Sequence, residues 1–194
     1  MGLLYDPEKE IQRRIMVDGT ELLCSRENMI ELIDNKNWLC IAGDGGCGKT
    51  FLLQYMFNMF LKMHRYIAVY VKLSDVKGEK DKKLIISYLV NNYKVGNETR
   101  LSEDLKSSDR DKTVVFFLDG LNEVSENQRE IINAINELTE IRDVRVVMTT
   151  RYPSRDLSNK FKTIHISDLT EDELKGYLGQ GHIQIEKNSI LRLP

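Results

Sequence analysis

The chain has 194 residues, of which 41% are hydrophobic and 30% are charged, and its formal net charge is −2. This length fits one ordinary domain, or one domain and a fragment of the next, with enough apolar residues for a core. The near-neutral charge excludes a global field that would draw the chain to nucleic acid or to an anionic membrane, so we predict neither as a partner.

The three cysteines are odd in number and form no CxxC pair, which disfavours a disulfide framework or a zinc site and favours a reducing compartment. No apolar run reaches the roughly 18 residues of a transmembrane helix. The first residues lack the apolar stretch of a signal peptide and the Ser or Thr of a myristoylation motif. We therefore expect a cytoplasmic protein.

The chain divides into three predicted parts. Residues 1–36 form an N-terminal lead-in segment that contains an amphipathic helix over 25–34, capped by Ser25. Residues 37–167 form the core domain. Residues 168–194 begin with a capping box and a short helical pattern, and they are interpreted as a truncated segment that follows the core.

Strands and helices alternate within the core, which predicts an α/β fold with a mainly parallel sheet. The third strand is apolar on both faces, as is typical of a parallel strand covered by helices on both sides. A capping box of Ser125 and Gln128 predicts the start of the helix that follows it. The result is a three-layer α/β/α arrangement around a five-stranded sheet. The predicted strands span Trp38–Ala42, 66–73, Thr113–Asp119, Val144–Thr150 and 162–167, and the helices span 50–63, Leu84–Tyr93 and 125 to about 141.

The sequence GDGGCGKT, residues 43–50, matches the phosphate-loop pattern GxxxxGK[ST] between a strand and a helix, which is the context that the motif requires. Glycines let successive N–H groups turn inward around a phosphate, and the following helix points its positive end at the same anion. Lys49 would reach the β- and γ-phosphates and Thr50 would hold Mg²⁺. The predicted nucleotide-binding residues here are Gly43, Gly45, Gly46, Cys47, Gly48, Lys49, Thr50 and Phe51.

Two acids follow the third strand. Asp119 ends that strand 70 residues after Lys49, where phosphate-loop enzymes place an Asp that binds Mg²⁺ directly or through water. Glu123 is a candidate to orient or deprotonate the attacking water, provided that the chain turns back, which Gly120 makes easy. The alternative for Glu123 is a solvated acid in front of a helix.

The sequence FFLDGLNEV, residues 116–124, resembles the second acidic motif of the NACHT family, a branch of the STAND signalling ATPases. That motif has an apolar strand, an Asp, a small residue, an apolar residue and then two acids, and Asn122 replaces the first of the two. The sequence TTRYP, residues 149–153, resembles the sensor segment of the same family. The resemblance implies that Arg151 senses the γ-phosphate and takes part in catalysis with Lys49 and Glu123.

Two further stretches resemble the family. LLCSREN, residues 22–28, is similar to the segment that packs near the base, which implies that Cys24 and Arg26 lie beside the nucleotide. DLTEDELKGYL, residues 168–178, is similar to the start of the helical domain that follows the ATPase core.

The resemblance implies a molecular switch that binds ATP or ADP with Mg²⁺ and hydrolyses ATP slowly. An activating ligand opens the ADP-bound monomer, ATP replaces ADP, and the subunits assemble. Relatives serve animal innate immunity and bacterial defence against phage. Two alternatives stay open: a continuously cycling enzyme, such as an AAA+-like ATPase or a small-molecule kinase, and a module that holds nucleotide for structural reasons. No guanine-reading NKxD motif follows the phosphate loop, so ATP is favoured over GTP.

Overall fold

The computed structural model describes residues 14–35, 38–76, 84–107 and 111–167. Its strands are β1 (Arg14–Val17), β2 (Thr20–Leu23), β3 (Trp38–Ala42), β4 (Tyr66–Lys72), β5 (Thr113–Asp119), β6 (Val144–Thr150) and β7 (Phe161–Ile166). Its helices are α1 (Arg26–Asp34), α2 (Lys49–Leu61), α3 (Leu84–Tyr93), α4 (Glu98–Lys106) and α5 (Gln128–Thr139), and short 3₁₀ turns span Leu73–Asp75 and Leu121–Glu123. None of the helices within these ranges has the length and hydropathy needed to cross a bilayer.

All strands of the described residues form one sheet in the order β2-β1-β7-β3-β6-β5-β4. The five strands from β7 to β4 are parallel to one another, and they are the five strands that the sequence predicts. Parallel strands end at the same edge of a sheet, so the loops after β3, β5 and β6 meet there. That edge is where ligands bind in open α/β sheets.

The sheet has seven strands rather than five, because the lead-in segment contributes an antiparallel hairpin. Strand β1 pairs with β2 and with β7 in antiparallel register. Asp18 and Gly19 form its two-residue turn with φ angles of 51° and 79°, and the Asp-Gly dipeptide is a strong hairpin signal. The prediction overlooked this signal because each flanking strand is only four residues long.

Helices cover both faces of the sheet, which confirms the three-layer arrangement. Strand β5 shows this in its alternation: Phe116 is buried with α3, α4 and α5, and Phe117 is buried with α1 and α2. The Phe117 ring lies 5.8 Å from the rings of Phe57 and Phe60 of α2, measured between centroids. Burial of each such side chain stabilises the fold by about 1.5–3 kcal/mol. Strand β5 is therefore held rigidly from both sides.

The helix predictions were correct except at two places. Ser25 caps α1 as expected, since its Oγ accepts a hydrogen bond from the Asn28 N–H at 3.2 Å. Helix α5, however, begins at Gln128 with Asn127 as its N-cap, so the Ser125 capping box is wrong. The prediction failed because of the preceding 3₁₀ turn. The Gln128 side chain donates to the Leu121 carbonyl of that turn at 3.2 Å and does not form a capping box with Ser125.

Helix α4 was missed because its composition is mostly polar. Its N-cap is Asn97, whose side chain accepts from the Arg100 N–H at 2.9 Å, and Leu105 is its buried anchor. Residues 1–13 of the lead-in segment and the predicted helical region 168–194 lie outside the described residues.

Candidate functional site

The loop between β3 and α2 has the backbone of a phosphate-binding cradle. Gly43 and Gly48 adopt φ angles of 153° and 95°. A Cβ on Gly43 would come 3.0 Å from Cys47 Sγ, so this position tolerates only glycine without a shift. Gly48 caps α2 in the left-handed conformation, and its carbonyl accepts from the Leu52 N–H at 2.9 Å. The positive end of α2 therefore opens into the loop.

Lys49 bends back over this loop. Its Nζ donates to the carbonyl oxygens of Gly43 at 2.8 Å and Asp44 at 2.6 Å, and it lies 3.8 Å from Cys47 Sγ. The ammonium charge is thus held against the carbonyl groups of the loop by a residue in the first turn of α2. This arrangement fits an anionic group such as a phosphate.

Asp119 is the centre of a hydrogen-bond network at the carboxyl edge of the sheet, and only 7% of its surface is exposed. Its Oδ1 accepts from Thr50 Oγ1 at 3.0 Å and from Thr149 Oγ1 at 2.6 Å, and its Oδ2 accepts from the Tyr70 hydroxyl at 3.0 Å. Thr149 Oγ1 also accepts from the Gly120 N–H at 2.7 Å. The network joins β4, β5, β6 and α2 at one carboxylate.

The sequence prediction did not include Tyr70 and Thr149. Tyr70 lies opposite Phe117 in the register of β4 and β5, so its side chain is on the same face as that of Asp119, two residues further along β5. Burial is the main cause that raises the pKa of Tyr70 to about 12; the hydrogen bond with the Gln54 side chain lowers this pKa, and the negative charges of Asp119 and Glu123 contribute to the rise. The phenol therefore stays protonated at neutral pH as a hydrogen-bond donor. The register of β4 and β5 is what brings Tyr70 to Asp119, and this register cannot be read from the sequence.

Glu123 turns back over Gly120 as the sequence analysis required. Gly120 has φ 78° and ψ 50°, and its carbonyl accepts from the Glu123 N–H at 2.9 Å. A Cβ on Gly120 would lie 3.1 Å from Glu123 Cδ and Oε2. The Glu123 carboxylate therefore lies directly over the residue that follows Asp119. The glycine is needed both for the left-handed backbone and for this close approach.

Arg151 approaches the phosphate loop, and Asn122 holds its backbone. The Arg151 N–H donates to Asn122 Oδ1 at 3.0 Å. A Cβ on Gly45 would lie 3.7 Å from Arg151 Nη2, so the guanidinium lies beside the loop. The amide that replaces one acid of the motif thus connects the acidic turn to the segment after β6.

Three other residues predicted to bind the nucleotide make no described contact with this cluster. Cys24 is completely buried in the core with α1 and α2, so none of its surface is available to a ligand. Arg26 is exposed at the start of α1. Phe51, in the first turn of α2, is 39% exposed. Contact of Arg26 with the base and of Phe51 with the nucleotide stays a prediction.

The donor set of the site suits a hard divalent cation that a nucleotide brings with it. Among the residues that the structure describes, no group of three or more His, Cys, Asp or Glu side chains could hold a metal ion by itself. Mg²⁺ is typically bound by one or two protein oxygens together with substrate phosphates and waters. The adjacent oxygens of Thr50 and Asp119, 3.0 Å apart, fit that role.

Comparison with known proteins decides the family. Residues 25–175 match the family model of the NB-ARC domain. The chain belongs to the NB-ARC family. NB-ARC domains are STAND P-loop NTPases of the AAA+ type, so the predicted P-loop fold and the STAND assignment are confirmed, and the chain is a nucleotide-binding domain. The NACHT resemblance depended on the arrangement of Asp119, Gly120 and Glu123 together with Arg151; the family model that matches is NB-ARC, and the NACHT branch is not shown.

One solved structure with a TM-score above 0.5 supports the fold. The NB-ARC domain is similar to a chain in the structure of Drosophila ORC bound to DNA, with a TM-score of 0.55 and 18% identity over 78% of this chain and 44% of that one. A second similar structure is AMPPCP-bound DnaA from Aquifex aeolicus, with a TM-score of 0.40 and 22% identity over 69% of this chain and 40% of that one. The domain thus spans less than half of either chain. A search of curated proteins found no match.

Proposed function

We propose that this NB-ARC domain is a signalling switch that binds ATP or ADP with Mg²⁺, hydrolyses ATP slowly and controls self-association through its nucleotide state. The observation that carries the proposal is the hydrogen-bond network of Asp119. It connects Thr50 of the phosphate-loop helix with Thr149, two residues before Arg151. A change at the nucleotide therefore has a short, hydrogen-bonded route to the segment that carries Arg151.

Each side chain has a defined task in this proposal. Lys49 binds the β- and γ-phosphates, and the oxygens of Thr50 and Asp119 hold the metal. Bound Mg²⁺ would neutralise charge on the transferred phosphoryl group. Glu123 orients the attacking water or accepts its proton. The Arg151 guanidinium, beside Gly45, contacts the γ-phosphate and so distinguishes ATP from ADP.

Slow turnover is supported by the acidic turn itself. Glu123 is exposed on a 3₁₀ turn, so bulk water competes for its carboxylate, and we expect its contribution to hydrolysis to lie at the lower end of the range for a general base. Asn122 occupies the position of the first of the motif's two acids, and its amide oxygen accepts a hydrogen bond from the Arg151 N–H. The turn therefore has two roles in the proposal: Asn122 binds the Arg151 backbone, and Glu123 activates water.

The biological setting follows from the resemblance to signalling ATPases. We propose a role in innate immunity or defence against phage, with an activating ligand that releases the ADP-bound form. The cysteines of the described residues form no disulfide, which supports a cytoplasmic location. The net charge of −2 supports a switch that does not use nucleic acid as its partner.

Turnover and nucleotide retention test the proposal directly. The purified protein should retain ADP or ATP and hydrolyse ATP well below about 1 s⁻¹, the lower end of common enzyme rates. Glu123→Gln should lower hydrolysis by about a hundredfold, a typical contribution of a general base, while ATP affinity stays unchanged. Nucleotide release on denaturation and a phosphate-release assay measure these quantities.

The matched control is Glu126→Gln, which removes an exposed acid three residues further along the same connection and should leave hydrolysis unchanged. Rapid steady turnover by the parent would favour a cycling ATPase. If Glu123→Gln changed neither hydrolysis nor self-association, the domain would hold nucleotide for structural reasons only.

Arg151→Ala should reduce the preference for ATP over ADP, because the guanidinium beside Gly45 is lost while the backbone contact to Asn122 remains. We expect the ratio of the two affinities to fall about tenfold, in line with the loss of one charge-assisted hydrogen bond of about 1.5–3 kcal/mol. Calorimetric titration with each nucleotide measures the ratio. Arg142→Ala, at the opposite end of β6, is the control, and an equal ratio in Arg151→Ala and parent would contradict the sensor role.

A further inference from the structure

Tyr70 contacts the carboxylate that the metal would use, and it stands outside the sequence motifs. We infer that Tyr70 is a positioning residue for the divalent cation: its hydroxyl holds the Asp119 carboxylate so that Oδ1 faces Thr50. This inference rests on the proposed function, since it concerns the cation that accompanies the nucleotide. Tyr70 lies on β4, a strand that contains neither the phosphate loop nor the acidic motif.

The ring of Tyr70 is placed by packing, independently of the carboxylate. It is half-buried and lies 5.5 Å from the Phe57 ring, measured between centroids. Phe57 packs in turn against Phe117, which is opposite Tyr70 in the sheet register. The contact with Phe57 places the ring, and the Gln54 side chain makes a further hydrogen bond with the Tyr70 hydroxyl. We therefore infer that the hydrogen bond to Asp119 Oδ2 at 3.0 Å orients the Asp119 carboxylate, because the Tyr70 ring is already placed by its packing.

The two oxygens of Asp119 have different partners. Oδ1 accepts from Thr50 and Thr149, whereas the contact described for Oδ2 is the Tyr70 hydroxyl. The terminal torsion of an Asp side chain is broad and two-fold, and its two oxygens are equivalent, so the donors determine the angle of the carboxylate plane. Tyr70 contributes to that angle because it donates to the oxygen that Thr50 and Thr149 do not contact.

Hydrogen bonds that orient a carboxylate ligand typically contribute ten- to a hundredfold to metal affinity. Tyr70 therefore acts on cation binding and leaves the phosphate loop untouched. Loss of its hydroxyl should affect nucleotide binding only through the metal. That separation distinguishes positioning of the cation from a general contribution to the fold.

The test is Tyr70→Phe, which keeps the ring against Phe57 and removes the hydroxyl, with its hydrogen bonds to Asp119 and Gln54. ADP affinity is measured by calorimetry over a range of Mg²⁺ concentrations and again with EDTA. We expect the Mg²⁺ midpoint to rise about tenfold and the affinity in EDTA to equal that of the parent. Tyr66→Phe is the control, because it removes a hydroxyl at the other end of β4 that donates to Asp34, and it should leave both values unchanged.

Each outcome decides the inference. An unchanged Mg²⁺ midpoint in Tyr70→Phe would overturn it, and so would an equal loss of affinity with Mg²⁺ and with EDTA, which would show a structural role. If the parent bound no nucleotide, the proposed function would fail first. A parent that binds ADP with Mg²⁺ and a variant with the parent's midpoint would overturn the role of Tyr70 alone.

Discussion

Lys49→Ala should weaken ATP binding by about ten- to a hundredfold. The ammonium is held 2.6–2.8 Å from two carbonyl oxygens of the phosphate loop, so its charge lies against the loop that would bind the phosphates. A hydrogen bond to a charged group contributes about 1.5–3 kcal/mol, and each 1.4 kcal/mol corresponds to about a tenfold change in affinity. Calorimetric titration with ATP measures the effect.

The control for this experiment lies on the same helix. Lys62 follows the last turn of α2 and is exposed, so Lys62→Ala removes an equal charge from the end that faces away from the loop. It should leave ATP affinity unchanged. If Lys49→Ala bound ATP as tightly as the parent, the assignment of the loop as the phosphate site would be refuted.

Asp119→Asn should remove most of the Mg²⁺-dependent part of nucleotide binding and also destabilise the fold. The carboxylate accepts three hydrogen bonds from hydroxyl groups, at distances of 2.6 and 3.0 Å on Oδ1 and 3.0 Å on Oδ2. An amide can accept at only one of its two positions and carries donors at the other. We expect Mg²⁺ affinity to fall about ten- to a hundredfold.

The stability cost in Asp119→Asn arises because a buried hydroxyl loses its acceptor, which costs about 1–3 kcal/mol. Denaturant unfolding measures it, and titration of ADP with and without Mg²⁺ measures the binding effect. The matched control is Asp34→Asn, because Asp34 also accepts from a tyrosine hydroxyl but is largely exposed and lies at the other end of β4. Wild-type Mg²⁺ dependence in Asp119→Asn would contradict the metal assignment.

The site was predictable where its chemistry depends on local sequence. The phosphate loop requires glycines at fixed spacing, and the structure shows the positive φ angles that this spacing anticipates. Glu123 requires a turn after Asp119, and Gly120 supplies it with φ 78°. Both features are formed by residues fewer than ten positions apart, so the pattern of residue types is enough to predict them.

Predictions failed where neighbouring turns compete for the same residues. Ser125 and Gln128 have the types and spacing of a capping box, but the Gln128 side chain bonds to the Leu121 carbonyl, and α5 starts after Asn127 instead. The hairpin β1–β2 was missed for a different reason: strands of four residues carry little periodic signal, and β1 gains stability by pairing with β7.

The sequence by itself determined the phosphate loop, the five parallel strands and the acid that ends the third of them, because glycine spacing and hydrophobic alternation are local properties of the chain. Only the tertiary structure decided which side chains surround that acid. Tyr70 is 49 residues from Asp119 and Thr149 is 30 residues from it, and strand order and register bring all three together. A donor at such a distance leaves no pattern along the chain, because the parallel sheet alone aligns the ends of β4, β5 and β6.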